Sequence, residues 1–182
     1  MSHFPPLSTN PKHPGRQYAL GRELRVSVLT SAAETDGRHD VVDSFMPAGA
    51  ATPLHAHTAY EERLWVSAGS LTVWAGDEKV ILRSGDFCTV PLRVPHAIAA
   101  GPQGARALNI STPAGFAELI TRTATPLHLA TEATVFDVEL FNAVAQEMGD
   151  LLLGPPGATP GGLPPELPGG QVRTPGPPAG PP

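Results

Sequence analysis

The stretch GAATPLHAHTAYEERLWVSAG, from Gly49 to Gly69, holds two of the chain's seven histidines one residue apart, followed by two adjacent glutamates. Residues i and i+2 of an extended strand point to the same side. His55 and His57 would therefore present both imidazoles on one face, with Cα atoms about 6.6 Å apart. The stretch offers either part of a metal site or a short polar loop between two strands.

Two further side chains are candidates for the same metal site. Glu62 stands just before the apolar run RLWV, where a chain reversal through TAYE would turn its carboxylate toward the histidine pair. His96 enters another strand after the Pro-rich turn PLRVP. Three imidazoles and one carboxylate suit one divalent transition metal, Fe, Mn, Ni, Co or Zn, and are too rich in nitrogen for Ca or Mg. A His-x-His pair alone arises easily by chance in such a chain, so two ordinary surface histidines remain an alternative.

Short strands are predicted on both sides of this stretch. The segment ELRVSVLT, from Glu23 to Thr30, alternates apolar and polar residues, as a half-buried strand does. DVVDSFM predicts another strand, and the residues from 63 to 111 give several more, separated by turn signals such as AGDE, SGD and GPQG. Because no helical stretch separates these strands, we expect an all-β, antiparallel sandwich or barrel.

One or two helices are expected only after the strands. Thr112 and Pro113 predict the N-cap and first turn of a helix over AGFAELITRTA. In VFDVELFNAVAQEMGD, Asp137 is the expected cap at the start of a second helix and Gly149 the expected cap at its end. The apolar face predicted for this second helix consists of Leu140, Phe141, Val144 and Met148.

Proline and glycine define the predicted ends of the folded part. They supply 22 and 19 of the 182 residues and dominate the segment 154–182, which we expect to be a disordered tail. Residues 1–16 are expected to form an irregular N-terminal arm. The predicted domain is then 17–153, including the closing helices, with the barrel core at about 23–111.

The charge of the chain limits its partners. A net charge of −5, without any basic run, argues against nucleic acid and anionic membranes. No leader-like or membrane-spanning apolar run is found in the sequence, so the cytoplasm is the expected location. The single cysteine, Cys88, lies in the apolar run DFCTV and is expected to be a small core residue.

The opening stretch also resembles the first motif of the cupin family, which reads Gly, five residues, His-x-His, three or four residues, Glu, six residues, Gly. Gly49, His55, His57, Glu62 and Gly69 match this spacing in full. Gly49 and Gly69, which alone would indicate only turns, thus belong to the motif. The resemblance covers about residues 23–111.

The second cupin motif is matched in part. Its pattern is Gly, five residues, Pro-x-Gly, two residues, His, three residues, Asn. Gly85, Pro91 and His96 fit, whereas Arg93 replaces the middle glycine and Ala100 replaces the asparagine. These two departures affect a turn residue and a supporting polar residue, and neither removes a ligand.

The resemblance distinguishes between the two neighbouring glutamates. Glu62, and not Glu61, has the motif's distance to Gly69. The resemblance implies a small β-barrel, or jelly roll, whose ligands point inward, and alternation then directs Leu64 inward and Trp65 outward. Cupins commonly pair through sheet surfaces. An exposed Trp65 would fit a homodimer interface or packing under a terminal segment.

Within the cupins, the chain resembles bacterial single-domain proteins of the quercetin 2,3-dioxygenase type. TPAGF at 112–116 and the closing helix followed by Gly-Pro-Pro carry this resemblance. It implies a metal-dependent, ring-cleaving dioxygenase that acts on a phenolic or enolisable small molecule and releases carbon monoxide. It further implies that His55, His57, Glu62 and His96 bind the metal and that Glu62 also acts as the base. The alternatives are a non-catalytic metal-containing cupin that binds a small molecule, and an isomerase or lyase that uses the metal as a Lewis acid.

Overall fold

The computed structural model describes residues 16–21 and 24–162. Ten antiparallel strands and three helices make up the described part of the chain. In chain order they are β1 (Gln17–Leu20), β2 (Leu24–Thr30), α1 (Ala32–Thr35), β3 (Asp40–Met46), β4 (Pro53–His57), β5 (Glu61–Ala75), β6 (Glu78–Arg83), β7 (Phe87–Val90), β8 (His96–Thr112), α2 (Phe116–Thr123), β9 (Thr125–Pro126), α3 (Val138–Glu147) and β10 (Asp150–Pro156). Short 3-10 turns lie between β9 and α3 at Leu127–Leu129 and after β10 at Pro160–Gly162.

The two longest strands, β5 and β8, pair along their whole length and divide the sheet into two halves. In the first half, the end of β8 pairs with β3 and the start of β5 pairs with β7. In the second half, the start of β8 pairs with β4 and the end of β5 pairs with β6. Strands β2, β1 and β9 extend the first half beyond β3, and β10 extends the second half beyond β4.

A glycine corner lets β5 and β8 pass from one half to the other. The register of this pair shifts on both sides of Gly69, and Gly69 has φ +72°. A Cβ atom on Gly69 would lie 2.1 Å from the carbonyl oxygen of Gly104 on β8. The backbones therefore approach too closely for any side chain at this point, which is typical of a strand that switches sheets.

The hydrophobic core lies between the two halves. Leu64 and Val66 from the first half pack with Leu71, Val73 and Ile98 from the second. A second cluster joins α2 to β2 and β3, and a third joins α2 to α3. The predicted all-β antiparallel fold with C-terminal helices is confirmed.

The start of α2 differs from the prediction. The helix begins at Phe116 rather than directly after Thr112 and Pro113, and Gly115 is its N-cap. Asp40 supplies the missing acceptor from β3, because its Oδ2 accepts hydrogen bonds from the backbone N–H of Gly115 (2.7 Å) and Ala117 (3.0 Å). A distant carboxylate thus caps the helix, which a local N-cap pattern does not reveal.

Helix α3 agrees with the prediction at its cap and differs on its apolar face. The side chain of Asp137 accepts a hydrogen bond from the backbone N–H of Leu140 at 2.9 Å, as predicted. Leu140 itself is 42% exposed, whereas Val144 and Ala145 are buried. The buried face is thus rotated toward Ala145, because α3 packs against both α2 and β10.

The C-terminal boundary also needs correction. Residues 154–156, expected to open the disordered tail, belong to β10, which pairs with β4 from Asp150 to Pro156. The short helix α1 also differs from the prediction, because helices were expected only after the strands. The remainder of the predicted tail from 163, and residues 1–15 of the predicted arm, lie outside the described residues. Among the described helices, none is long and apolar enough to cross a membrane.

Candidate metal centre

The four candidate ligands lie together between the two halves of the sheet. His55 and His57 come from β4, Glu62 from the start of β5, and His96 from the start of β8. One ligand atom from each of the four lies within 4.8 Å of the other three. His57, Glu62 and His96 are buried and His55 is partly exposed. The structure thus brings together residues that are up to 41 positions apart in the sequence.

Strand pairing explains how the four meet. His55 and His96 are direct cross-strand partners, and their ring centroids are 4.2 Å apart. His57 follows at i+2 on the same face of β4, with its ring 5.0 Å from that of His96. Glu62 faces them from the other half of the sheet, since β5 alternates buried and exposed residues from that position.

Each imidazole is oriented by a hydrogen bond at Nδ1. The partners are the carbonyl oxygen of Pro53 for His55 (2.8 Å), the carbonyl oxygen of Val94 for His96 (2.9 Å) and the Asp150 carboxylate for His57 (2.7 Å). These oxygens only accept, so Nδ1 carries the proton in all three rings. Nε2 is then the nitrogen available as a metal ligand, which is the usual arrangement around a metal-binding histidine.

The carboxylate of Glu62 is held from two sides. Its Oε2 lies 3.0 Å from Nε2 of His96 and 3.8 Å from Nε2 of His57. Asn109 on β8 donates a hydrogen bond from Nδ2 to Oε1. Because an ionised carboxylate only accepts, the amide nitrogen of Asn109 must face Glu62. The Asn109 Oδ1 atom is left buried without a hydrogen-bond partner.

The cluster has a defined charge state without an ion. Burial alone would raise the pKa of Glu62, but the His57 ring at 3.8 Å and the hydrogen bond from His96 outweigh burial and hold this pKa well below its ordinary value. Burial disfavours the charged form of His57, yet the hydrogen bond to Asp150 and the nearby Glu62 carboxylate, 3.8 Å away, raise its pKa to about 9. Burial and the charges of His96 and His57 lower the pKa of His55 to about 3. Any proton that Nε2 of His57 or His96 turns toward Glu62 must therefore leave before that nitrogen can bind an ion.

Asp150 and Tyr60 belong to the site and were not found from the sequence. Asp150, the first residue of β10, pairs in register with His57 and holds its Nδ1. The Tyr60 ring stacks on the His57 ring at 4.2 Å, and its hydroxyl donates to Asp150 Oδ2 at 3.4 Å. A Cβ on Gly115 would lie 2.4 Å from the Tyr60 ring, so only glycine fits beside it. Asp150 is 93 residues from His57, so spacing alone offered no signal for the pair.

The two departures from the second cupin motif leave the site intact. Arg93 stands where the motif has glycine, and it adopts the left-handed backbone conformation with φ +64°. Its backbone N–H donates to the carbonyl oxygen of His57 at 2.7 Å, so the turn still supports a ligand strand. Ala100, in place of the motif's asparagine, is buried in the core.

A cavity of about 510 Å³ reaches the cluster at His55 and His57. Its lining residues come from strands of the sheet, including β10, and from the helices α2 and α3. This volume falls within the range of about 300–1,000 Å³ that is usual for small-molecule sites.

The donor set fits a divalent transition metal. Three Nε2 atoms with fixed tautomers and one ionised carboxylate converge on one point, and this mixed nitrogen and oxygen set suits the five metals named from the sequence. A cluster that could bind a metal ion is thus present, and the choice among these metals depends on affinity and supply.

The fold and the site together define an antiparallel β-barrel with a His-His-Glu-His cluster inside. Residues 42–111 match the family described as the cupin domain. It is 30% identical over 83 residues to a quercetin 2,3-dioxygenase from Bacillus subtilis (strain 168). That alignment covers 46% of this chain and 24% of the relative, so the chain matches about a quarter of the relative's length.

Two solved structures are similar to parts of this chain. The coconut allergen cocosin is 19% identical, with a TM-score of 0.50 over 58% of this chain and 30% of that chain. An RmlC-like cupin from Shewanella frigidimarina is 22% identical, with a TM-score of 0.49 over 62% of this chain and 92% of that chain. At such identities the likeness to cocosin supports the fold alone.

Proposed function

We propose that the protein is a metal-dependent oxidoreductase of the quercetin 2,3-dioxygenase type, which cleaves a ring of a phenolic or enolisable small molecule with dioxygen. The observation that carries this proposal is the meeting of three imidazole nitrogens and one ionised carboxylate in a cluster that a largely apolar cavity reaches at His55 and His57. The match to the Bacillus subtilis enzyme supports the choice of reaction.

The proposed roles follow from the geometry. His55, His57, Glu62 and His96 would hold a divalent ion, which when bound would polarise a substrate oxygen and lower the pKa of its hydroxyl. Glu62 is ionised and so can accept the hydroxyl proton at Oε2, while the hydrogen bond from Asn109 fixes its Oε1. The apolar walls exclude water and hold the substrate beside these residues.

Metal content and oxygen consumption test this proposal. The natively purified protein is analysed for Fe, Mn, Ni, Co and Zn, loaded separately with each, and assayed for oxygen uptake and carbon monoxide release with a panel of flavonols. We expect turnover with at least one metal and its loss in Glu62→Gln. Glu61→Gln is the matched control, because Glu61 bonds Arg63 at the edge of the site and should be dispensable.

The other outcomes would each replace the proposed activity. Full metal occupancy with ligand binding but without oxygen uptake would identify a non-catalytic metal-containing cupin. Conversion of an enolisable compound without oxygen uptake would identify an isomerase or lyase. Loss of the metal in His55→Ala and His57→Ala is expected in every case, and retention of the metal would contradict the site itself.

Further proposals concern assembly, partners and location. Trp65 and Phe87 are cross-strand partners on the outer face of the sheet, 39% and 53% exposed, and we propose that they form a homodimer interface. Light scattering should show a dimer that Phe87→Lys dissociates, whereas Ile81→Lys, at another exposed apolar residue, should not. The net charge of −5 supports small-molecule partners rather than nucleic acid or membranes. Cell fractionation would test the proposed cytoplasmic location.

A further inference from the structure

Asn109 is a polar residue in apolar surroundings. Its cross-strand neighbours are Val42 on β3 and Leu64 on β5, and all three residues are buried. The preceding buried residues of β8, Ala105 and Ala107, belong to the hydrophobic core. Because burying a polar group costs free energy unless the group is hydrogen-bonded, packing alone favours an apolar side chain at this position. A specific contact must therefore account for the amide.

The side chain of Asn109 uses only part of its hydrogen-bonding capacity. Its Nδ2 atom donates to Oε1 of Glu62, whereas its Oδ1 atom is buried and has no partner among the described residues. A buried oxygen without a hydrogen bond destabilises the folded chain. The bond to Glu62 is therefore the contact that accounts for an amide at this position.

The two carboxylate oxygens of Glu62 have different surroundings. Oε2 lies 3.0 Å from Nε2 of His96 and 3.8 Å from Nε2 of His57, which are nitrogens that would bind the ion. Oε1 instead accepts the hydrogen bond from Asn109. A ligating carboxylate is commonly oriented by such a hydrogen bond from a neighbouring residue. With Oε1 held by Asn109, only Oε2 is free to bind the ion.

We propose that Asn109 is a positioning residue that restricts Glu62 to one oxygen and so keeps a coordination position open on the metal. This inference rests on the metal site of the proposed function and is independent of the reaction. Divalent Fe, Mn, Ni and Co accept up to about six ligands, and a carboxylate can bind an ion through one oxygen or through both. Once the Asn109 donor is removed, Oε1 can turn to the ion and occupy a position at which a small molecule would otherwise bind.

Azide binding tests whether a coordination position is lost. The full-length chain, Asn109→Leu and Asn109→Ala are each loaded with Co²⁺ and titrated with azide, which binds to open metal positions and changes the visible spectrum. Asn109→Leu keeps the branched shape of the amide and Asn109→Ala adds no bulk, so a change that both share reports the lost donor. We expect azide to bind at least about tenfold more weakly to both variants while Co²⁺ stays bound. Unchanged azide affinity would overturn the proposal.

Infrared spectroscopy reports how Glu62 binds the ion. The two stretching bands of a carboxylate lie closer together when both oxygens bind an ion than when only one does. The difference spectrum between Co²⁺-loaded and metal-free protein, prepared with ¹³C-labelled glutamate, isolates this signal. We expect a narrower separation of the bands in Asn109→Leu and Asn109→Ala than in the unchanged protein. The same separation in all three proteins would also overturn the proposal.

Ser111→Ala is the matched control. Ser111 is buried on β8 as well and lies directly across from Glu62, but its hydroxyl is not bonded to that carboxylate. Azide affinity and the infrared bands should therefore be unchanged in this variant. Urea unfolding separates positioning from a merely structural role of Asn109. A lower free energy of unfolding in the Asn109 variants, with unchanged azide affinity and infrared bands, would show a structural role and overturn the proposal.

This proposal and the proposed function fail in different ways. Weaker azide binding and a narrower band separation in the Asn109 variants, without oxygen uptake by the unchanged protein under any metal, would support the role of Asn109 and refute the dioxygenase. Oxygen uptake with unchanged azide affinity and infrared bands would do the reverse. An unchanged protein that binds no metal would refute both.

Discussion

Replacing Asp150 should weaken metal binding although Asp150 is not a candidate ligand. Its Oδ1 accepts from Nδ1 of His57 at 2.7 Å, both residues are buried, and neighbouring strands hold them in register. The bond fixes the ring orientation and the tautomer that leaves Nε2 free for the ion. It also makes the imidazole more basic.

The expected magnitude follows from this contact. Loss of such a partner typically costs about 10-fold to 100-fold in metal affinity, which is about 1.4 to 2.7 kcal/mol. Asp150→Asn retains a neutral acceptor for His57 and should lie near the tenfold end. Asp150→Leu removes both acceptors, for His57 and for Tyr60, and should lie near the hundredfold end.

The assay is a competition titration of Zn²⁺ or Co²⁺ against a chromophoric chelator at neutral pH. The Co²⁺ absorption spectrum reports the geometry of the site at the same time. Glu147→Gln is the control, because Glu147 lies three residues earlier and pairs with Arg122 on the surface. Circular dichroism verifies that each variant is folded. Folded Asp150 variants with the metal affinity and Co²⁺ spectrum of the unchanged protein would refute the role given to Asp150.

Three further predictions concern the fold. Gly69→Ala should destabilise the protein severely, because its Cβ would collide with Gly104. Gly49 also has a positive φ, +75°, but open space around it, so Gly49→Ala should lower the free energy of unfolding by only about 1 kcal/mol. Similar losses for the two variants in urea unfolding would contradict this difference. Asp40→Ala should lower the free energy of unfolding by about 2–3 kcal/mol, because two buried N–H groups of α2 lose their acceptor, and an unchanged urea midpoint would refute the cap. Burial and the charge of Glu62 raise the pKa of Cys88 to about 11, so its alkylation by iodoacetamide should accelerate about tenfold per pH unit from about pH 8 to about pH 10. A rate that levels off within that range, as for an ordinary thiol with a pKa of about 8.5, would contradict the raised pKa.

The parts of the fold and site that sequence analysis predicted depend on short-range regularities. Alternation along β5 places Glu62 and Leu64 inward and Trp65 outward, since successive side chains of a strand alternate between its faces. The i, i+2 spacing likewise places His55 and His57 on one face. Motif spacing, rather than alternation, distinguished Glu62 from Glu61 and associated His96 with the same site.

The parts that sequence analysis missed depend on contacts between distant segments. Asp40 caps α2 from 75 positions away, so Thr112 and Pro113 were the only visible signals for the start of that helix. Asp150 follows a helix and a glycine, a context that is typical of a backbone turn. Its contact with His57 arises only from the pairing of β10 with β4. Asn109 reaches Glu62 because β8 and β5 pair along their length. No local pattern encodes these three pairings, since each depends on how the strands come together.

The candidate metal-binding residues and much of the cavity wall come from different segments of the chain. The matched cupin segment, residues 42–111, contains all four candidate ligands and Asn109. Much of the cavity wall instead comes from α2, α3 and β10, which follow that segment in the chain. Asp150, which orients His57, also lies after that segment. A change after residue 111 can therefore alter which small molecule the cavity accepts. At Asp150 such a change can alter how tightly the ion is held, although all four candidate metal-binding residues stay in place. Two chains with the same cupin motifs can differ in substrate for this reason.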